Sequence, residues 1–180
     1  MRAIKILVSL LLIMGAVVVM ALGAMRFSDG PIGILAGGAF SSGELRPTLS
    51  EFGFLEGREL VEFQTLNPAT SRTLWLVVDG QRLYFVSGYM NTWVGKIWKQ
   101  WPKHILKDNA IVLRADGGLY PQQLQRLLRE PEVPQVMRKF AVKYGLGSEG
   151  MSDEAVYAMV ARGDFWMFEV TSADGALTSN

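Results

Sequence analysis

The hydrophobic and polar positions divide this chain into an apolar start, a region of strands and two later helices. Residues 6–25 form one run of 20 residues without a charge, and a helix of that length crosses the roughly 30 Å of a bilayer core. Alternating or short apolar runs bounded by turn residues follow. They predict strands at residues 59–66, 72–78, 81–88, 110–115, 119–128 and 165–172.

Two helices are predicted after the fifth strand. Apolar residues recur at helical spacing over residues 133–146 and 152–163, and the second helix has Ser152 as its N-cap and Gly163 at its end. The leucines of residues 119–128 also fit a helix, but the Asp-Gly-Gly turn before them favours a strand.

These elements predict a mainly β protein with flanking helices, of the α+β class. Five or six strands with few helices suggest a small closed or half-closed barrel, because closure leaves no exposed strand edge. We predict a membrane anchor at residues 1–26, a lead-in rich in Gly, Ser and Pro at 27–56 that packs on the domain, and a small β-barrel domain at 57–180.

The charges around the apolar run indicate how it would lie in a membrane. Arg2 and Lys5 precede the run and Arg26 follows it, a bias that weakly favours a cytoplasmic N-terminus and an exported domain. We therefore expect a single-pass membrane protein that contacts lipid through residues 6–25. The alternative is a cleaved signal peptide, since small residues near 21–24 could form a cleavage site.

Composition excludes several kinds of chemistry. The chain has no cysteine and one histidine, so no metal site is expected. Without Arg2 and Lys5, 16 of the 18 basic residues remain against 17 acidic ones, a balance that argues against nucleic-acid binding. No Gly-x-Ser-x-Gly elbow is present. No catalytic acid or base stands out, so the catalytic residues stay unknown.

An aromatic and basic stretch, residues 87–104, is the most unusual segment. As a helix from residue 93 to 103, it would separate its apolar and basic residues onto two faces, with Pro102 ending it early. The apolar face would carry Trp93, Val94, Ile97, Trp98 and Trp101, and the basic face Lys96, Lys99 and Lys103. Three interpretations stay open: a core-packing helix, contact with a membrane interface, and phosphate binding by Lys96. The spacing of Gly88 from Gly95-Lys96 excludes a nucleotide P-loop.

The order of these elements resembles the split β-barrel flavoproteins, including pyridoxamine-phosphate-oxidase-like proteins and deazaflavin-dependent nitroreductases. The resemblance covers roughly residues 57–128, and its motifs are Arg72-Thr73, the stretch LYFVSG at 83–88, Lys96, Trp98 and the stretch NAIVL at 109–113. The chain is also similar to membrane-anchored bacterial members without a settled function, and this similarity implies a location in a bacterial inner membrane. The stretches DGPIGILAGGAFSSGEL and GYMNTWVGKIWKQWP carry that similarity.

The resemblance implies an FMN or deazaflavin cofactor, often at a homodimer interface, with haem as the less favoured ligand through His104. Its implied contacts are Arg72, Thr73, Ser87, Gly88, Lys96 and Trp98. Substrate or partner contacts are expected at Tyr89, Asn91, Trp93 and Trp101. The leading hypothesis is a membrane-anchored redox protein. The rival is a non-catalytic domain of the same fold that contacts a protein partner or lipid through the Trp/Lys helix.

Overall fold

The computed structural model describes residues 2–88, 90–93, 100–147 and 150–173. The predicted contacts Tyr89, Lys96 and Trp98 lie outside the described residues. The helices are α1 (Arg2–Ala24), α2 (Trp101–Ile105), α3 (Val133–Tyr144) and α4 (Asp153–Arg162). The strands are β1 (Glu44–Leu45), β2 (Leu60–Leu66), β3 (Ala69–Asp79), β4 (Arg82–Gly88), β5 (Ala110–Ala115), β6 (Gly118–Leu127) and β7 (Phe165–Ser172).

Helix α1 holds the apolar start of the chain. The segment Ile4–Phe27 is long and apolar enough to cross a membrane, and none of its most apolar window is buried against the rest of the protein. A short 3₁₀ turn, Met25–Phe27, follows directly. An apolar helix with no protein surface over it needs lipid or another apolar environment to remove it from water.

Six of the described strands form a closed antiparallel barrel. Their order is β6-β5-β2-β3-β4-β7, and the pairing of β7 with β6 closes the ring. Strand β1 adds a short parallel pairing to β6. The predicted fold class, a mainly β barrel with flanking helices, is confirmed.

Two strand boundaries show how tertiary pairing acts on local sequence. Strand β6 is a strand and not a helix, as predicted, because the turn at Asp116 and Gly117, both at positive φ, returns the chain against β5. Strand β3 begins at Ala69, three residues earlier than predicted, because its first residues pair with the end of β2. Strand β6 pairs with β5 on one side, and on its other side its partner changes from β1 to β7 around Pro121. A proline is tolerated there because its position needs no N–H group for pairing on that second side.

The side chains pack into two cores separated by the barrel wall. The inner core fills the barrel and contains Phe63, Phe85, Leu113 and Phe168. The outer core lies under α3 and α4 on the other face of β4 and β7. Helix α4 has the predicted N-cap, since the Ser152 hydroxyl accepts a hydrogen bond from the Ala155 N–H at 3.3 Å.

The lead-in lies against the outer face of β2, β3 and β5. The Ser71 hydroxyl donates to the Gly38 carbonyl at 2.6 Å, and the Gly37 N–H donates to the Ser71 carbonyl at 3.1 Å. A Cβ at Gly37 would collide with the Gly30 carbonyl, and one at Gly38 with the Arg26 carbonyl. The two glycines therefore let the chain after α1 fold back closely and attach to β3.

Candidate functional site

The barrel wall opens between β3 and β4 at one end. The two strands pair only from Leu76 to Asp79 of β3, so the first half of β3 pairs with β2 and, through one bridge at Ser71, with Gly37 of the lead-in. Strand β4 instead continues along β7 as far as Gly88. We call the end formed by the start of β3, the end of β4 and helix α2 the split end of the barrel.

Helix α2 closes the split end from inside. The Trp101 ring lies edge-on to Phe63, with ring centroids 5.1 Å apart, and 5.2 Å from Phe168. The Trp101 side chain is only 2% exposed. The Trp101 ring is therefore part of the inner core, and its contact with a substrate or partner stays a prediction.

The position of Pro102 bears on its predicted role as the end of a helix. It occupies the first turn of α2, and the part of the predicted helix before it, residues 94–99, lies outside the described residues. The first turn tolerates proline because the N–H groups there have no intrahelical acceptor to lose. The predicted separation of aromatic and basic faces falls mostly on residues 94–99, outside the described residues.

Arg72 carries a buried positive charge at the split end. It lies directly opposite Phe63 across the β2–β3 ladder, and opposite residues share a face of the sheet, so its side chain points to the inner side of the barrel. Its Nε is buried without a hydrogen-bond partner. Burial lowers the pKa of Arg72, and the nearby charge of Arg26 lowers that pKa further. No ion pair of Arg72 with another described residue supplies the counter-charge that usually accompanies burial.

His104 places a second unsatisfied group beside Arg72. Its Nδ1 is buried and has no partner within the described part of the chain. Burial is the main cause that lowers the pKa of His104, and the positive charges of Arg72, Lys107 and Arg26 add to the effect. We call Arg26, Arg72, His104 and Lys107 the cationic cluster. Its electrostatics favour an anion.

Arg126 extends the positive character of the inner side. Its guanidinium carbon lies 3.9 Å from the centroid of the Trp166 ring, its Nε is buried without a partner, and burial lowers its pKa. Sequence reasoning missed this residue. The strand alternation could have predicted its inward position, because Arg126 follows the buried Leu124 by two residues and therefore lies on the same face of β6.

The structure separates the predicted cofactor contacts on β3 and brings others together. Arg72 points inward, whereas the adjacent Thr73 points to the outer face and lines a different cleft. Ser87 joins Arg72 at the split end, where it is buried and its hydroxyl donates to the Met90 sulfur at 3.4 Å. Gly88 pairs with Phe165, whose ring would lie 3.0 Å from an added Cβ. Gly88 is therefore explained by close strand packing.

The predicted partner contacts after β4 divide by exposure. The Asn91 side-chain amide donates to the Arg162 carbonyl at 2.6 Å and to Asp164 at 3.1 Å. These bonds attach the loop to the end of α4. The Trp93 side chain is 75% exposed, so a partner or lipid could reach it. The Trp101 side chain is buried and could not be reached in this way.

A second concave region lies on the outer face of the barrel, with a volume of about 610 Å³. Its centre is Arg114, which pairs with Glu62 at 2.6 Å and Asp29 at 3.0 Å and lies over the Phe40 ring at 4.1 Å. The donors of Arg114 are thus satisfied by the lead-in and by β2. This arrangement attaches the lead-in to the barrel. By contrast, Arg72 and Arg126 each bury an Nε that has no hydrogen-bond partner among the described residues.

Asp29 gives this attachment a pH dependence. The Ser42 hydroxyl, then the Ser41 N–H, hold the pKa of Asp29 well below its ordinary value of 3.8. A carboxyl with a lowered folded-state pKa contributes stability above its unfolded pKa and loses it as the pH falls. We expect Asp29→Asn to lower the urea midpoint at about pH 7 and the difference from wild type to shrink by about pH 3. A constant difference across this range would show that ionisation of Asp29 does not hold the lead-in.

Comparison with known proteins adds a likeness of fold. No protein-family model matches the chain, and no curated protein does. It is similar to a structure described as a candidate pyridoxamine 5′-phosphate oxidase from Listeria innocua, with 12% identity and a TM-score of 0.44 over 66% of this chain and 87% of that one. It is also similar to a conserved hypothetical protein from Mycobacterium tuberculosis, with 10% identity and a TM-score of 0.43 over 67% and 76% of the two chains. The split-barrel assignment rests on the strand pairing itself.

Proposed function

We propose that the split end binds the phosphate of a flavin-type redox cofactor, FMN or a deazaflavin, and that the protein acts as a membrane-anchored oxidoreductase. The observation that carries this proposal is the Arg72 guanidinium, whose Nε is buried without a hydrogen-bond partner among the described residues and whose positive neighbours include Arg26. Buried charges in native proteins normally have a counter-charge. A phosphate would supply one to Arg72 and His104 together.

The described residues fit an anionic group at this site. Arg72 would donate charge-assisted hydrogen bonds, and His104 could add a second donor when protonated. Trp101 and Phe63 would exclude water from the floor of the site, because both rings are buried there. A flavin supplies hydride and electron transfer through its own ring system. The protein would bind and orient it.

A titration of the full chain in detergent micelles tests this function. The purified protein is first examined for visible absorption and then titrated separately with FMN, a deazaflavin and haem. We expect saturable binding of one of the two flavin types. Binding of haem alone would replace the flavin proposal, and no binding of any of the three would refute it. Sedimentation of the same samples tests the predicted homodimer.

His104 should make anion affinity depend on pH. Because the pKa of His104 is lowered, its imidazole is neutral in the free protein at neutral pH. The free energy of unfolding should fall as the pH drops below 6.5, the ordinary pKa of histidine, because the unfolded chain then binds the proton more readily. Near a bound phosphate the imidazolium becomes favourable. We expect the FMN affinity of wild type to exceed that of His104→Gln by a factor that grows with acidification to about fivefold.

The comparison between the two proteins removes a complication of the ligand. A phosphate monoester takes up a proton near pH 6 by itself, and this effect is common to wild type and His104→Gln. Fluorescence quenching titrations of both proteins from about pH 8 to pH 5.5 measure the ratio of dissociation constants. A ratio that stays constant over this range would exclude His104 from the phosphate site.

We also propose that α1 remains as the anchor and that the barrel is exported. The length and apolar character of Ile4–Phe27 support an anchor, and the basic residues before it favour a cytoplasmic N-terminus. The intact mass of the protein purified from membranes tests retention of α1. Loss of the first twenty or so residues would show that it is a signal peptide.

The non-catalytic alternative has one supporting observation. Trp93 is largely exposed beside the split end, a position suited to contact with a lipid interface or protein partner. Failure of flavin binding combined with reduced vesicle association of Trp93→Ala would favour this alternative.

A further inference from the structure

The segment directly after α1 exposes an unusual amount of apolar surface. Phe27 is 90% exposed and Ile34 is 88% exposed, and Ile32 is exposed between them. Residues 30–43 contain no charged side chain. The charged residue just before them, Asp29, is engaged by Arg114 and two serines. Removing this surface from water would therefore bury apolar area without the free-energy cost of desolvating charged side chains in residues 30–43.

The local fold presents Ile34 at the tip of a small hairpin. Ile32 and Leu35 exchange backbone hydrogen bonds of 3.2 and 3.1 Å, and Gly33 takes a positive φ between them. The base of the hairpin is closed by the contact between Gly30 and Gly37. Its reach is short, because the tip lies only three or four residues from the base, at most about 13 Å of chain.

Both apolar groups are held close to the end of α1. Phe27 follows Ala24 by three residues, so its backbone lies within about 11 Å of the helix end even if fully extended. The hairpin base lies against the carbonyl of Arg26 through Gly38. The interfacial zone of a bilayer is about 5–8 Å deep on each side of the core. If α1 spans the bilayer, these residues begin within reach of that zone.

We propose that Phe27, Ile32 and Ile34, the apolar tip, insert into the interface of the bilayer that α1 enters and dock the barrel on the lipid surface. The proposal rests on the proposed anchoring by α1. The docking would be transmitted to the barrel by the bonds of Gly37 and Gly38 to Ser71, which neighbours Arg72 on β3. The cationic cluster would consequently lie at the membrane-facing side of the domain.

Spin labelling tests the apolar tip directly, because the chain contains no cysteine and a single introduced cysteine is unique. The full chain is prepared as Ile34→Cys, labelled with a nitroxide and reconstituted at one chain per lipid nanodisc. Ile13→Cys, within α1, gives the embedded reference. Val142→Cys gives the aqueous reference, since Val142 is 66% exposed on α3 beside Glu56 and Val78, at the opposite end of the barrel.

Collision rates with oxygen, which concentrates in lipid, and with a water-soluble nickel chelate give the depth of each label. We expect the oxygen-to-nickel ratio at position 34 to be several-fold above that at position 142 and closer to that at position 13. Equal ratios at positions 34 and 142, with position 13 embedded, would overturn the docking alone. Shielding of position 34 from both reagents would identify a protein contact and also overturn it. An oxygen-to-nickel ratio at position 13 as low as that at position 142 would overturn both anchoring and docking. None of these outcomes bears on flavin binding by the split end.

Discussion

Arg72→Met should lose most of its affinity for FMN while becoming more stable than the wild-type protein. Charge-assisted hydrogen bonds contribute about 1.5–3 kcal/mol, so their loss should weaken binding by roughly 10- to 150-fold. In the free protein the same guanidinium is buried with an unpartnered Nε. Removing that polar group should raise the free energy of unfolding by about 1 kcal/mol. Binding titrations and urea unfolding of the ligand-free protein measure the two effects.

The opposite signs of these effects distinguish a ligand site from a structural one. Arg138→Met is the matched control, because Arg138 is a partly exposed arginine that pairs with Asp153 at 2.6 Å on the helical layer. It should change neither FMN affinity nor stability by more than about 0.5 kcal/mol. A destabilised Arg72→Met with unchanged affinity would assign Arg72 a purely structural role and remove the main support for the flavin proposal.

Trp101→Ala should be the most destabilising tryptophan substitution in the described chain. The Trp101 ring fills the inner core between Phe63 and Phe168, and truncation of such a ring costs about 3–5 kcal/mol. A domain of this size has a total stability of about 5–15 kcal/mol. Much of the barrel's stability should therefore disappear, as measured by urea unfolding monitored by circular dichroism.

Trp93→Ala provides the comparison within the same segment. Its side chain is mostly exposed, so the free energy of unfolding should change by about 0.5 kcal/mol or less. Trp101→Phe should recover part of the loss, since an aromatic ring would still contact Phe63. If Trp101→Ala unfolds at the same urea concentration as Trp93→Ala, Trp101 is not part of the core.

Local pattern was sufficient to predict most of the barrel. In β2, Val61, Phe63 and Thr65 are buried at alternate positions, because a strand places every second side chain on one side. Turn chemistry identified the hairpin at residues 116–118. Both later helices were found because caps and apolar spacing act within a few residues of sequence.

The same reasoning was weaker at the split end. Arg72 and Thr73 were assigned one role because they are adjacent and share a family motif, yet adjacent strand residues point to opposite faces. His104 and Arg126 are far from Arg72 in sequence. Their burial on the inner side depends on α2 closing the barrel and on β6 meeting β7.

The amino-acid sequence alone was sufficient to predict the membrane-length helix and the pattern of strands and helices, since these depend on neighbouring residues. It also excluded cysteine chemistry, since that depends on composition. Only the tertiary structure decided that Trp101 is a core residue while Trp93 is exposed. It also decided that Arg72, His104 and Arg126 each bury a side-chain nitrogen without a hydrogen-bond partner in the described part of the chain. Burial is a property of the whole packed chain. The energetic cost of an unpaired charge, which marks the split end as the candidate site, therefore becomes visible only after the barrel has closed.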